Sequence, residues 1–228
     1  MSRRMKVLPG AWMNILPDTE KLLKPEPLNI VSYFVRHGTT AGNEQKRFRG
    51  WIDIPLDEKG FSDARKVEAF FRDKPLGDAW SSDMKRALST AEITLDPRGI
   101  SFEEDEDLRP LNTGHFAGEK KDYHLDDMEY YQRNPDIKIP GGESINEFRA
   151  RVKTPILRAI SKGITNKEPS IIFTHSSVIH EVNNIIHHDH NANLVKPGGV
   201  IGVEFSGNKF KVHQLLKPHK PTNEPYAS

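Results

Sequence analysis

Short apolar segments with the character of buried strands alternate along this chain with segments of helical periodicity. Residues 30–35 and 170–174 are rich in β-branched and aromatic side chains, as buried strands are. Residues 57–73 carry apolar side chains at helical spacing, and so does the segment behind the capping-box sequence 144–147. This alternation predicts an α/β fold, a single three-layer sandwich in which helices cover both faces of a mostly parallel sheet.

Less pronounced patterns complete the prediction. We expect a strand at 78–82, a helix over 85–93, a strand at 100–102, a loop-rich stretch over 108–142, a helix through 178–185, and a hairpin formed by 200–205 and 210–216.

The chain has 228 residues, enough for one substantial core. Residues 1–28 hold four prolines and little periodicity, which predicts a surface extension. That extension could pack on the sheet edge, mediate a homodimer or bind a partner. We expect residues 29–217 to form the domain and residues 218–228 to form a polar tail.

Bulk composition excludes several classes of function. A formal net charge of +1 gives no global attraction to nucleic acid or membrane, so selectivity for an anion must come from a local site. The absence of cysteine excludes disulfides, thiolate metal sites and cysteine nucleophiles. No apolar run approaches the ~20 residues of a membrane span, and the basic N-terminus lacks the rest of a signal peptide. A cytoplasmic location is the expectation.

Three basic side chains follow predicted strands. His37 comes after strand 30–35, Arg86 lies just beyond the second strand, and His175 follows strand 170–174. Ligands bind at the carboxyl ends of strands in open α/β sheets, so these residues can converge. Each alone has a simpler explanation, such as a structural histidine or a solvated arginine on a helix.

Together these residues suit phosphoryl transfer. Arginine binds phosphate bidentately, and a neutral imidazole can attack phosphorus. With Arg36 and Arg86 neutralising the phosphate, we expect neither a metal nor a cofactor. The hypothesis is that His37 is a covalent nucleophile on a small phosphorylated substrate.

Five ordered blocks between residues 30 and 206 carry a family resemblance. They are residues 36–40 with Asn43 and then Gly50, Asp53, Pro55-Leu56 and Gly60; residues 82–87 with Thr90-Ala91; residues 114–118; residues 140–144 with Arg151-Val152; and residues 174–176. In this pattern the chain resembles the histidine phosphatase superfamily, in the branch that includes the cofactor-dependent phosphoglycerate mutases. The resemblance implies a phosphoglycerate mutase-like fold.

The resemblance also implies roles for individual residues. His37 would be the residue phosphorylated, with Arg36, Arg86 and His175 forming the phosphate pocket. Further substrate contacts would come from Gly38, Thr40, Asn43, Glu143 and Ser176. Ser144 would lie at the pocket rim or simply cap the following helix.

One position departs from the family pattern. The general acid, usually a glutamate four residues before the first glycine of the aromatic turn, is replaced here by Pro110. Proline has no proton to donate, and Asn112 cannot act as an acid at neutral pH. The candidates for a replacement are Glu143, His115 and Glu119.

Three functions follow from this pattern. In the mutases that the chain resembles, a longer, arginine-containing insertion after the aromatic turn covers the site. Here only about 24 residues, 119–142, separate Gly118 from Glu143 and they hold one arginine, Arg133, so the resemblance favours a metal-independent phosphatase over a phosphoglycerate-type mutase. Such a short covering segment should leave a phosphohistidine open to water. The third possibility is a phosphoryl-ligand binder without activity.

Two further clusters have competing interpretations. Residues 187–190 (His-His-Asp-His) resemble a metal cluster, but a solvated helix end explains them better because adjacent helical residues point in different directions. The pairs Lys120-Lys121 and Tyr130-Tyr131 either contact substrate from the covering segment or are solvated lysines and a partly packed tyrosine pair.

Overall fold

The computed structural model of the chain describes residues 28–188 and 195–217. The predicted extension, apart from Leu28, and the predicted tail lie outside the described residues, so both stay predictions. Asp189 and His190 lie outside them too, and the interpretation of residues 187–190 is therefore untested.

The described residues form six strands and six α-helices, joined by loops and short 3₁₀ turns. In chain order these are β1 (Ile30–Arg36), α1 (Ala41–Glu44), α2 (Glu58–Phe71), β2 (Ala79–Ser81), α3 (Lys85–Leu95), β3 (Glu103–Glu104), α4 (Leu125–Arg133), α5 (Ile145–Asn166), β4 (Ser170–Thr174), α6 (Ser176–His187), β5 (Val200–Ser206) and β6 (Lys209–Leu216). None of these helices has the length and apolar character needed to cross a bilayer.

The strands form one sheet in the order β3-β2-β4-β1-β5-β6. Neighbouring strands from β3 to β1 run parallel, and β5 pairs antiparallel with both β1 and β6. The predicted mostly parallel sheet and the C-terminal hairpin are therefore confirmed. The parallel half places the carboxyl ends of β1, β2 and β4 at one edge of the sheet.

Two apolar clusters, one on each face of the sheet, form the core. Along β4, Ile172 points into one cluster with α5 and α6, while Ile171 and Phe173 point into the other with α2 and α3. Alternate strand residues thus bury against different helix layers, as the period of a strand requires. The three-layer sandwich predicted from the sequence is what the structure contains.

Two predictions between β2 and α5 need correction. The third strand is Glu103–Glu104, not 100–102, and it pairs with Trp80 and Ser81 at the sheet edge. Its charged side chains suit an edge strand, which cannot rely on burial on both faces. The loop-rich stretch over 108–142 contains helix α4, which the sequence pattern did not predict because this helix buries none of its side chains.

Candidate phosphate-binding active site

Two histidines meet at the carboxyl edge of the parallel strands. β1 and β4 are neighbours with Arg36 opposite Thr174, so the residues that follow these two strands lie side by side. The His37 backbone N–H donates to the Thr174 carbonyl at 3.0 Å, and the two imidazole centroids are 5.1 Å apart. Both rings are buried. The structure thus brings together His37 and His175 from opposite ends of the sequence.

Hydrogen bonds fix the tautomer of each ring. His37 Nδ1 lies 2.7 Å from the Gly38 carbonyl, which can only accept, so Nδ1 carries the proton and Nε2 keeps its lone pair. Arg86 Nε donates to His175 Nδ1 at 3.3 Å, which leaves the proton of that ring on Nε2, 3.0 Å from Ser82 Oγ. His37 therefore presents the nucleophilic nitrogen, and His175 is held by Arg86 and Ser82.

The chain around His37 is fixed by close backbone packing. Gly38 N–H donates to Thr90 Oγ1 at 3.1 Å, and a Cβ at Gly38 would lie 2.4 Å from the Gly60 carbonyl oxygen. Only glycine permits this approach of the loop to α2. Gly38 therefore sets the position of the neighbouring imidazole and does not line the cavity.

Arg86 is enclosed by acceptors that carry no charge. Its side chain is almost fully buried, with Nη1 2.9 Å from the Ile52 carbonyl and Nη2 3.3 Å from the Gly50 carbonyl. Arg36 Nη1 donates to the Val195 carbonyl at 2.5 Å, while its buried Nε has no partner among the described residues. Neither guanidinium forms an ion pair with a described carboxylate, so both can bind an anion.

A third arginine, Arg49, joins this group through residues of the first loop. Arg49 Nη1 donates to Asn43 Oδ1 at 2.7 Å and also to Thr40 Oγ1. Asn43 Oδ1 in turn accepts from the Thr40 backbone N–H at 3.0 Å. Thr40 and Asn43, predicted as substrate contacts, are instead placed outside the cavity lining, where they orient Arg49.

Burial and like charge shift the ionisation of these groups. Desolvation, reinforced by Arg86, Arg36 and Arg49, lowers the pKa of His37 well below 6.5. Desolvation and then Arg86 act in the same direction on the pKa of His175. Both rings are neutral at pH 7, as an attacking imidazole must be.

The guanidinium groups respond to the same environment. Desolvation and nearby Arg49 lower the pKa of Arg36 to about 10 and that of Arg86 to about 9. Asp53 partly offsets this effect at Arg86, but no described carboxylate forms an ion pair with either guanidinium. A bound phosphate would supply the missing counter-charge.

These groups line one cavity of about 250 Å³ at the sheet edge. Its lining comprises Arg36, His37, Arg47, Phe48, Arg49, Gly50, Arg86, Pro110, Leu111, Thr113, Lys121, Met128, His175, Ser176 and Ser177. Five of these side chains are arginine or lysine, and none of the described lining residues is a carboxylate. The chemistry of the lining is that of a strong anion-binding site.

Several polar groups in the cavity wall lack partners within the described residues. The buried hydroxyls of Thr113 and Ser176 accept or donate no hydrogen bond, and Arg36 Nε is likewise unpaired. Helix α6 begins at Ser176, so the unsatisfied N–H groups of its first turn lie at the cavity as well. The oxygens of a phosphate are suitable acceptors for donors of this kind.

The candidates for a general acid lie elsewhere. Glu143 accepts from Arg151 Nη2 at 2.6 Å and from the Asn112 backbone N–H at 2.8 Å, so its carboxylate is occupied outside the cavity lining. His115 and Glu119 are exposed and do not line the cavity. The structure thus contradicts the predicted substrate contact by Glu143 and supports none of the three as proton donor. Pro110, at the position of the family acid, does line the cavity.

The sequence left open whether the pairs Lys120-Lys121 and Tyr130-Tyr131 contact substrate and whether Ser144 lies at the pocket rim. Lys121 lines the cavity, whereas Lys120 is exposed outside it. Tyr131 packs on Phe116 with ring centroids 6.1 Å apart, and neither tyrosine of the pair lines the cavity. Ser144 is the N-cap of α5 in a complete capping box and is not a rim residue.

Sequence reasoning missed Arg47 and Arg49 as members of the site. The available sign was the sequence Arg-Phe-Arg-Gly at residues 47–50, which puts two arginines directly before Gly50 of the first family block. Among the described residues, no group of three or more histidine or acidic side chains has the arrangement of a metal site.

Comparison with known proteins assigns the class. Residues 32–216 match the family model of the histidine phosphatase superfamily (branch 1), and this chain belongs to that superfamily. A phosphoglycerate mutase from Thermus thermophilus with a solved structure is 31% identical, with a TM-score of 0.63 over 81% of this chain and 98% of that chain.

Two further relatives extend the comparison. A probable phosphoglycerate mutase GpmB from Enterobacter sp. (strain 638) is 34% identical over 129 residues, 54% of this chain and 60% of that protein. The chain thus matches about three fifths of the length of this curated relative. The solved structure of a mycobacterial glucosyl-3-phosphoglycerate phosphatase has a TM-score of 0.70 at 18% identity, over 82% of this chain and 98% of that one, which is a likeness of fold.

Proposed function

We propose that this protein is a metal-independent phosphatase that hydrolyses a small phosphorylated molecule through a phosphohistidine on His37. The observation that carries the proposal is the hydrogen bond from Nδ1 to the Gly38 carbonyl, which leaves Nε2 as a neutral nucleophile beside buried, unpaired guanidinium groups. In the first step Nε2 bonds to phosphorus as the ester P–O bond breaks. Water then attacks phosphorus, the P–N bond breaks, and the electron pair returns to Nε2; one proton of the water stays on the phosphate and the other reaches the departed oxygen through solvent.

In this scheme the arginines stabilise the negative charge on the phosphoryl group. Arg36 and Arg86 would bind the phosphoryl oxygens, and the N-terminus of α6 adds N–H groups. Because these groups are fixed by carbonyl acceptors before a substrate arrives, the stabilisation costs little reorganisation. Fixed cations supply the charge for which other phosphatases use a metal ion.

Hydrolysis is favoured over transfer to a second substrate because the covering segment contributes little to the cavity. Its single arginine, Arg133, is exposed and pairs with Glu129 at 2.5 Å. Helix α4 buries none of its side chains, and the segment 119–142 adds only Lys121 and Met128 to the lining. Water should therefore reach a phosphohistidine.

One observation favours the mutase alternative. The cations Arg47 and Lys121 at the outer part of the cavity would retain a phosphorylated product. A mutase would return the phosphoryl group to that product, and the Thermus thermophilus relative described above is itself a phosphoglycerate mutase.

The test is phosphate release from p-nitrophenyl phosphate with and without a chelator. We expect turnover that EDTA does not change, an acid-labile phosphoryl group on His37 by mass spectrometry, and a loss on the order of 10³-fold or more in His37→Ala. His115→Ala is the matched control, since that histidine is exposed outside the cavity, and it should retain full turnover.

Three outcomes separate the alternatives. Equal turnover by wild type and His37→Ala would eliminate the phosphohistidine. Interconversion of 2- and 3-phosphoglycerate faster than phosphate release would establish the mutase. Anion binding with no turnover of any phosphorylated compound would leave a binding protein.

A further inference from the structure

The cavity has no carboxyl group that could protonate a leaving oxygen, as far as the described residues show, and its one ammonium, Lys121, lies in the covering segment. Its lining contains no carboxylate, and the family acid is replaced by Pro110. Arginine does not release its proton. The proton on His175 Nε2 is directed to Ser82 Oγ. This arrangement favours a leaving group that is stable as an anion, because assistance by a positioned carboxylic acid is typically worth about 10²–10⁴-fold.

This preference selects the bond that is broken most readily. The alkoxide of a sugar or of glycerol is a poor leaving group unless it is protonated as the P–O bond breaks. A phosphate or a carboxylate is stable as an anion and needs no proton. The cavity is therefore suited to a substrate whose transferring phosphoryl group is attached to an acidic oxygen.

The cations outnumber what one phosphoryl group needs. Arg36 and Arg86 adjoin the histidines, whereas Arg47 and Lys121 come from the first loop and the covering segment. Arg47 Nη1 donates to the Gly118 carbonyl at 2.7 Å, which fixes this guanidinium. The backbone N–H of Lys121 donates to the Lys46 carbonyl at 2.9 Å, and the Lys121 ammonium lies 5.7 Å from the Phe48 ring centroid, so Lys121 is placed beside the first loop. Neither of these two outer cations forms an ion pair with a described carboxylate.

Arg49 connects the two groups of cations. One of its nitrogens is held by Asn43, at 2.7 Å. Desolvation lowers the pKa of Arg36, Arg86 and Lys121, and the charge of nearby Arg49 lowers all three further. Positive charge is therefore present both beside the histidines and in the covering segment, with Arg49 near both. An anionic leaving group would be stabilised by these cations as its negative charge develops when the bond breaks.

We infer, building on the proposed function, that the substrate is a phosphoanhydride, in which the leaving group is itself a phosphate. The Nε2–P bond of His37 forms as the bridging P–O bond breaks, and the electron pair stays on the departing phosphate. That phosphate is bound by Arg47, Arg49 and Lys121 and needs no proton. Hydrolysis of the phosphohistidine by water follows, with the protons of water taken up by the phosphate products.

The experiment compares kcat/KM, in the presence of EDTA, for inorganic pyrophosphate, tripolyphosphate, acetyl phosphate and glycerol 3-phosphate, with p-nitrophenyl phosphate as the reference. We expect pyrophosphate and tripolyphosphate to exceed glycerol 3-phosphate by at least about 10²-fold, the size of the missing acid assistance. Glycerol 3-phosphate turned over as well as pyrophosphate would overturn the inference while leaving the phosphatase intact. Failure with p-nitrophenyl phosphate would instead remove the proposed function itself.

A pair of adjacent lysines provides the matched variants. Lys121→Gln should lower kcat/KM for pyrophosphate about tenfold more than it lowers the value for p-nitrophenyl phosphate. Lys120→Gln, on the exposed neighbour outside the cavity, should change neither. An equal loss on both substrates in Lys121→Gln would contradict a role in binding the leaving phosphate. Acetyl phosphate turned over as well as pyrophosphate, with no dependence on Lys121, would also overturn the phosphoanhydride assignment.

Discussion

Two arginine-rich regions lie on opposite sides of Pro110, and they differ in whether the arginines are neutralised. In the cavity, Arg36 and Arg86 have carbonyl acceptors and no described carboxylate. In the neighbouring region, Arg109 forms an ion pair with Asp83, with Nε 2.8 Å from Oδ1, and Arg151 forms an ion pair with Glu143. The same residue type is thus left without a carboxylate partner in one region and holds the fold together in the other.

The neutralised region is a scaffold for the cavity wall. Arg109 and Arg151 stack on Trp51, with guanidinium carbons 4.8 and 5.7 Å from the ring centroid. The Trp51 indole N–H donates to the Pro110 carbonyl at 2.9 Å, and Arg151 Nη2 donates to the same oxygen at 3.2 Å. Pro110 is therefore fixed from behind. An arginine can bind substrate where the fold gives it no acidic partner.

The largest expected effect comes from changing one arginine in each region to lysine. Arg86→Lys should lower kcat/KM for p-nitrophenyl phosphate by at least about 10²-fold, because a lysine cannot reproduce the planar fork that reaches His175 and two carbonyls. Steady-state kinetics, with circular dichroism to confirm folding, would check this.

The matched scaffold variant is Arg109→Lys. It keeps a positive charge beside Asp83 and should change kcat/KM by no more than a few-fold. If Arg86→Lys were as active as Arg109→Lys, the two regions would not differ in the way proposed, and Arg86 would have no role in phosphate binding.

The second expected effect is stabilisation by inorganic phosphate. A ligand present at 100 times its Kd stabilises the folded state by about 2.7 kcal/mol, which corresponds to a rise in Tm of roughly 5–10 °C for a chain of this size. Phosphate should produce this rise because it neutralises the unpaired guanidinium groups. Differential scanning fluorimetry across a phosphate titration would measure it.

The variants Arg49→Gln and Arg109→Lys test whether the phosphate-induced shift in Tm arises in the cavity or in the scaffold region. Removing the charge of Arg49 from the cavity should abolish most of the phosphate-induced shift in Tm. Arg109→Lys should show the same phosphate-induced rise in Tm as the wild type, even if its Tm without phosphate is lower. A shift of the same size in both variants would place phosphate binding outside the cavity.

The third expected effect is a loss of stability on mild acidification. The folded-state pKa values of His37 and His175 are lowered, whereas the unfolded chain binds protons on these residues from about pH 6.5 downward. The free energy of unfolding should therefore fall as the pH drops from 6.5 towards the folded-state values, by up to about 1.4 kcal/mol per pH unit for each histidine.

Urea denaturation at a series of pH values would test this dependence. His37→Asn should remove about half of the slope that the two histidines contribute. The pH–rate profile of kcat/KM should agree, with its acidic limb below pH 6.5, since the nucleophile stays neutral there. An acidic limb above pH 6.5 would contradict the neutral tautomer.

Much of this could be predicted from the sequence, and the part that could not has a common cause. The strand-end positions of His37, Arg86 and His175 followed from apolar runs and from the geometry of parallel sheets. Arg49 did not, because its place depends on a side-chain hydrogen bond to Asn43. Glu143 was assigned to the substrate because no sequence pattern shows that Arg151, eight residues later, occupies its carboxylate.

Among the strands and helices, those with a buried apolar pattern were predicted from the sequence and those without one were not. Strands buried on both faces, such as β4, were predicted with their bounds, whereas the two-residue edge strand Glu103–Glu104 was misplaced by three residues. That strand exists because Trp80 and Ser81 offer it a parallel ladder, and its own side chains carry no apolar pattern. Helix α4 was missed for a similar reason, since none of its side chains is buried in the core.

The smallest expected effect comes from bringing a carboxylate into the cavity with Pro110→Glu, which would make the cavity more like the scaffold. Surrounding cations lower the pKa of a carboxyl group, so the introduced carboxyl group should be ionised in the free protein and should weaken phosphate binding, raising KM for every substrate. A bound dianion offsets those cations, and the carboxyl group can then hold the proton that an alkoxide needs. We therefore expect the ratio of kcat for glycerol 3-phosphate to kcat for pyrophosphate to rise about tenfold, at the low end of what acid assistance provides.

Pro110→Gln has the same shape without a proton to give, so it should leave the ratio unchanged. If Pro110→Gln raised the ratio as much as Pro110→Glu, the gain would come from removing the proline ring and not from a restored acid.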